Sequence, residues 1–352
     1  MMKPTLILRI IFFFYVHASH VHPNPNATPT ATVTQACSIA FVHLGSDLPK
    51  YIADAIYQAR LFNPANPIYL LAQQAALHKK NVYEILQMLH NTLQVTIVPI
   101  ETLPPSQEHI FFEKTSRHDT TYRKGFWNFT VQRFFVLDDF MSHNNITNLI
   151  HLESDTLLYR TVDELLPTLR THYHGIATVF ISDTHCIPCF VYLRDKTAIK
   201  QLTTYLAQQA HTGKNDMLLL SEFKTKMSTH LIASLPIIPR TYILCHGLKN
   251  LRNEPAHNPE DYCNHIAAFN SVFDGNAIGQ YLGGIDPRLG KSKPFSFINP
   301  DCFFNPALLT FEWKKDALGR TIPFMTFNDE AYQINNLHIS SKNLKAFLSV
   351  EH

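Results

Sequence analysis

Between residues 38 and 152, short apolar runs alternate with helical patterns, and this alternation restricts the possible folds more than any other feature of the chain. "SIAFVHL" (38–44), "IYLLA" (68–72), "QVTIVPI" (94–100) and "NLIHL" (148–152) are nearly continuous apolar stretches, as expected of strands covered on both faces. Between the first two runs, Ile52, Ala55, Ile56 and Ala59 recur at helical spacing, which predicts a helix from about Pro49 to Phe62 with Asp47 or Ser46 as its cap. "NVYEILQMLHN" (81–91) predicts a second helix, and residues 126–141 a third. Parallel neighbours need crossovers and helices supply them. The expected fold is therefore α/β, a Rossmann-like, mostly parallel sheet flanked by helices in a single large domain. Further strands are expected at 175–181 and 189–193, and a further helix at 195–209.

With 352 residues, 45% hydrophobic and 16% charged, the chain is long enough for one large core and is not a disordered tail. A formal charge of +2 with no basic block argues against nucleic acid as a partner. Residues 1–18 carry Lys3, an apolar stretch from Leu6 to Val16 and a small-residue patch, the pattern of a secretory signal or an uncleaved signal anchor. Residues 19–36, rich in Pro, Thr and Asn, read as a linker or stalk. These features imply a secreted protein, or a type II membrane protein of the ER or Golgi lumen, with any membrane anchoring confined to the N-terminus. Sequons stand at Asn26, Asn128 and Asn145.

Six cysteines permit up to three disulfides in an exported chain, and "HCIPC" (185–189) invites a zinc or redox reading that lacks a second CxxC. Only 11 glycines, with no GxGxxG and no GxxxxGKS, argue against a glycine loop that cradles phosphates. A nucleotide here needs another source of positive charge.

"HLESDTLLY" (151–159) offers one. Glu153 and Asp155 follow an apolar strand, and alternation points both to one face. Ligands of open α/β sheets bind beyond the carboxyl ends of the strands. Two carboxylates there suit Mg²⁺ or Mn²⁺, hard cations that commonly join protein carboxylate to diphosphate. The alternative is structural: Glu153 caps a turn and Asp155 pairs with Arg160. Asp138 and Asp139 form a competing acidic pair, expected on the solvated face of the 126–141 helix. In the same helix Arg133 meets a phosphate, a sugar or Asp155, or else snorkels from the core, and Trp127 stacks on a sugar or fills core.

"HLESDTLLY" resembles the DxD segment of GT-A glycosyltransferases, with Glu153 in the first acidic place and Asp155 in the last. "INNLHISSKNL" (334–344) resembles the closing segment of such enzymes, with His338 in the place of a metal ligand and Lys342 in that of a lysine that meets the diphosphate. The resemblance extends over residues 37–345. It implies that His43, Leu44 and Gly45 hold the nucleotide base, that "GKNDMLLLSEF" (213–223) presents Asp216 toward the acceptor, and that "FDGNAIGQYLGGIDPR" (273–288) is an acceptor-side loop. In that loop Asp274 or Gln280 would bond hydroxyls, and Gly283 and Gly284 would admit a sugar. The implied activity is a metal-dependent glycosyltransferase that takes a nucleoside-diphosphate sugar as donor and a glycan, lipid or protein as acceptor. Asp216 is the first candidate for a base, with Asp274 second, if the reaction inverts. Two rival functions are a glycoside hydrolase using Glu153 and Asp155, and a sugar- or nucleotide-sugar-binding protein without turnover.

Overall fold

The structure, a computed structural model, describes residues 36–227 and 230–350. The expected signal or anchor at 1–18 lies outside the described residues, as does the linker up to residue 35. Among the described residues no helix is long and apolar enough to cross a membrane, and the described residues belong to one compact unit.

The four apolar runs become strands β1 (Ser38–His43), β2 (Ile68–Ala72), β3 (Thr96–Pro99) and β4 (Leu149–Leu152). Short β5 (Thr156–Leu158) follows, then β6 (Ile176–Ser182), β7 (His185–Leu193) and β8 (Ile232–Ser234). The main sheet has the order β3-β2-β1-β4-β7-β6-β8, and β7 alone runs against its neighbours. Every residue of β4 and β6 is buried, so helices cover both faces, as the continuous apolar runs require. This is the expected α/β architecture with a mostly parallel sheet. A second sheet is built from β9 (Ser271–Val272), β10 (Thr310–Lys315), β11 (Thr321–Phe327) and β12 (Glu330–Ile334), while β13 (Asn336–His338) pairs antiparallel with β5.

Four expectations are corrected. The strand expected at 189–193 starts at His185, because Asp183 and Thr184 turn the chain directly back from β6. "HCIPC" is therefore strand, with Pro188 beside a register shift where its missing N–H does no harm. Cys186 and Cys189 are fully buried, burial pushes both thiols up, and neither joins a metal-ligand cluster. All six cysteines are free thiols, so none of the permitted disulfides forms. The first helix begins at Ile52 with no side-chain cap, since Asp47 is engaged by Lys79 and Lys124.

The fourth correction concerns Asp138 and Asp139 in the helix Phe126–His143. They are 1% and 5% exposed rather than solvated. Asp139 accepts the Ser106 amide at 2.8 Å and lies 2.6 Å from His109 Nδ1, while Thr203 donates to Asp138 at 2.8 Å. These carboxylates fasten the helices Gln107–Thr115 and Lys196–Gln209 to the central one. Asp139→Ala strips a buried imidazole and an amide of their acceptor, so urea unfolding should show a loss of about 3 kcal/mol.

Candidate functional site

At the end of β4 the Glu153 amide donates to the Cys189 carbonyl, and Thr156 turns back onto the Glu153 carbonyl at 3.0 Å. That turn brings two carboxylates together before β5 begins. Antiparallel pairing then sets His338 opposite Thr156, and the Ile339 amide donates to the Asp155 carbonyl at 2.9 Å. An imidazole from near the far end of the chain thus arrives beside acids from its middle. His338 Nε2 lies 3.1 Å from Asp155 Oδ2 and 3.4 Å from Glu153 Oε2. The three ligand atoms lie within 4.8 Å of one another.

Two carboxylate oxygens and one neutral imidazole form a donor set suited to Mn²⁺ or Mg²⁺. With bonds of about 2.1 Å, adjacent ligands of an octahedral ion sit roughly 3 Å apart, close to the separations from His338. The residues present therefore fit a divalent cation.

Cations flank this set. Lys342, held by a left-handed turn (φ 64°), contacts Asp155 Oδ2. Arg133 is 7% exposed and contacts both Glu153 Oε1 and Asp216 Oδ2, the latter at 2.5 Å. Burial works to raise the Asp155 and Glu153 carboxyls, but neighbouring charges outweigh it: His338 and Lys342 hold Asp155 well below its usual range, and Arg133 and His338 hold Glu153 down. Burial works to lower His338, but the same two acids leave it raised. Asp216 ends up raised, because burial exceeds the pull of Arg133.

Asp274 supports the set from beneath. It is 1% exposed, and its carboxylate accepts the amides of Ile278, Gly279 and His338 at 2.9–3.0 Å. It caps the short helix Ala277–Gly283 and anchors the backbone that carries His338. A Cβ on Gly279 would lie 2.0 Å from the His338 carbonyl, so that helix packs on β13 only through a glycine. Both oxygens of Asp274 are thus committed, and Asp216 is 3% exposed and paired with Arg133. Neither has the open carboxylate needed by a base acting on an acceptor hydroxyl. Gln280 keeps a buried Oε1 without a partner, Gly283 packs near the Phe347 ring, and Gly284 (φ +83°) ends the helix against Ser292.

Strand β1 ends alongside this site, since Phe41 is level with Leu152. Burial lowers His43 to about 4, and its Nε2 is buried without a partner. Leu44 is half-buried, and the Gly45 amide donates to Gln73 Oε1 at 2.7 Å with φ +105°. Sequence reasoning missed two groups near Lys342, Tyr51 and Arg288. Tyr51 has its ring centroid 5.8 Å from the Lys342 ammonium, its hydroxyl bonds Ser154, and the charges of Asp155 and Arg288 act on it. Arg288 is pinned by Asp286 at 2.7–3.1 Å. The D-x-R spacing of "DPR" was the one available signal.

No protein-family profile and no curated protein matches the sequence. Among solved structures the chain is similar to a galactosyltransferase, LgtC, in complex with donor and acceptor sugar analogs (11% identity, 59% of this chain and 78% of that one, TM-score 0.39). It is also similar to mouse xyloside xylosyltransferase 1 (9%, 60% and 90%, TM-score 0.38) and to a cytidylyltransferase from Leptospira borgpetersenii (10%, 57% and 75%, TM-score 0.35). TM-scores this low decide neither family nor reaction, so the functional reading rests on the site's own geometry.

Burial raises Asp274 to about 6, against three amides and the His338 charge that pull it down. An acid whose folded pKa exceeds its unfolded value holds its proton more tightly when folded, so stability falls as pH rises between the two values. In urea unfolding, wild type should therefore lose on the order of 3 kcal/mol relative to Asp274→Asn between pH 4 and pH 7.

Proposed function

We propose that this protein is a metal-dependent glycosyltransferase that moves a sugar from a nucleoside-diphosphate donor to an acceptor. One observation carries the proposal: Glu153, Asp155 and His338 converge from opposite parts of the chain, with Lys342 on the same Asp155 oxygen. These three residues would hold Mn²⁺ or Mg²⁺, which when bound would offset negative charge on the departing diphosphate. Lys342 adds a second positive centre, and Arg288, whose charge reaches Tyr51, a third. Arg133 holds Glu153 in place and is itself held by Asp216. Asp274 fixes the backbone of His338. Asp216 and Asp274 thus act as positioning residues. The loop His43–Gly45, at the neighbouring strand end, is the proposed seat of the nucleotide base. The apolar N-terminal segment supports action in an exported or lumenal setting.

The geometry disfavours a glycoside hydrolase. A retaining pair stands about 5–5.5 Å apart and an inverting pair farther, with one member keeping a proton. Here the acidic oxygens lie closer than 5 Å, and both carboxyls are held down by neighbouring cations.

Thermal-shift measurements with UDP or GDP test this reading. The nucleotide should raise the melting temperature by a few degrees only when Mn²⁺ is present, because a ligand bound by the native state alone stabilises it. Asp155→Ala should abolish that shift. A nucleotide shift that ignores Mn²⁺, or that survives in Asp155→Ala, contradicts the proposal.

The proton on His338 competes with the metal, since an imidazole ligand must be neutral. Mn²⁺ affinity, titrated calorimetrically, should therefore be weaker at pH 6 than at pH 8. It should fall up to about tenfold per pH unit below the His338 pKa. In His338→Gln this pH dependence should flatten.

A further inference from the structure

Beside the cation site, the chain displays three aromatic rings that neither the core nor the proposed metal chemistry uses. Tyr122 and Phe126 are 37% and 36% exposed, and Trp127 is half-buried. Tyr122 and Trp127 are near-parallel, 7° apart with 5.9 Å between centroids, and Phe126 stands edge-on to Trp127 at 4.9 Å. Clustered, exposed rings of this kind mark surfaces that bind something.

The backbone presents them deliberately. Arg123, Lys124 and Gly125 are consecutive left-handed residues, with φ of 47°, 59° and 92°. Left-handed backbone is unfavourable for residues with side chains and persists where surrounding contacts enforce it. One such contact is Arg123 itself, whose guanidinium lies 5.3 Å from the Tyr122 ring centroid and 5.8 Å from that of Phe126, and reaches Asp286 at 3.4 Å. Asp286 also holds Arg288, whose charge acts on both Tyr122 and Tyr51, and Tyr51 adjoins Lys342 and Asp155. Arg123 and Asp286 thus link the rings to Arg288, whose charge reaches Tyr51 next to Lys342.

We propose that Tyr122, Phe126, Trp127 and Arg123 form the acceptor platform of this site, and that the acceptor presents a pyranose ring to it and is therefore a carbohydrate. This rests on the transferase reading and narrows it. A pyranose has an apolar C–H face that matches an exposed aromatic face. Its hydroxyls both donate and accept, and the Arg123–Asp286 pair at the platform's edge offers donor N–H groups next to acceptor oxygens. A lipid chain matches the rings but not the three charged side chains, Arg123, Asp286 and Arg288, that border them.

The full chain is tested on a broad glycan array, with and without UDP and Mn²⁺, followed by titration of the best-bound glycan. Wild type should bind, and Tyr122→Ala and Arg123→Ala should each bind that glycan about tenfold or more weakly. The Mn²⁺-dependent thermal shift with UDP or GDP should persist in both variants, which also shows that they fold. The inference is overturned if wild type binds no glycan, or if both variants bind as wild type does. Loss of the nucleotide shift in Tyr122→Ala also overturns it, since the rings then serve the nucleobase. Glycan binding that depends on Tyr122 in a protein without any nucleotide shift supports the platform while the transferase reading fails.

Discussion

The whole site depends on one short antiparallel ladder, the pairing of β13 with β5. Three residues on each side make a marginal structure by themselves, and closing the chain across some 180 residues carries an entropic cost. Neighbouring contacts supply what the ladder lacks. Asp274 holds the His338 amide, and Asn336 donates to the Asp274 carbonyl at 2.9 Å. Gly279 lets a helix rest on the His338 carbonyl. Farther along, Tyr159 donates to the Phe347 carbonyl, and Gln58 and Ser349 exchange two hydrogen bonds. The position of one imidazole is thus fixed by several elements together.

A second constraint is electrostatic. Asp216, Arg133, Glu153, His338, Asp155 and Lys342 form a series in which Glu153 and Asp155 each lie between two cationic or protonatable groups, while Asp216 ends the series on Arg133. Buried charges are tolerated only when compensated, and with His338 protonated the three negative and three positive charges cancel. Exchange of that proton for a dication removes one positive charge and adds two. The site then carries a net charge of +1, which suits an anionic diphosphate. Under the proposed function, the same arithmetic would let a phosphate be held in a chain with no glycine-rich loop.

Much of this was legible in the sequence because strands buried on both faces leave uninterrupted apolar runs. β1 to β4 fell where those runs lie, and Glu153 and Asp155 follow the end of β4, where a tight turn rather than strand alternation brings their carboxylates to one place. His338 and Lys342 were found through a resemblance between short segments, since no local pattern reveals that residue 338 pairs beside residue 156. What escaped the sequence depends on tertiary partners. Asp138 and Asp139 look like solvated acids until His109, Ser106 and Thr203 are seen to satisfy them. The reversal of β7 hinges on a two-residue turn that periodicity cannot detect. Tyr51 and Arg288 reach the site from a helix start and a loop, where side-chain direction follows no repeat.

The central claim, that Glu153, Asp155 and His338 together hold one divalent cation, is tested most directly by electron spin echo spectroscopy of Mn²⁺ added to the full chain. The account predicts nitrogen modulation from a directly bound imidazole in wild type, its disappearance in His338→Gln, and loss of the bound ion in Asp155→Ala. Bound Mn²⁺ without nitrogen coupling, or with coupling that survives in His338→Gln, would contradict it.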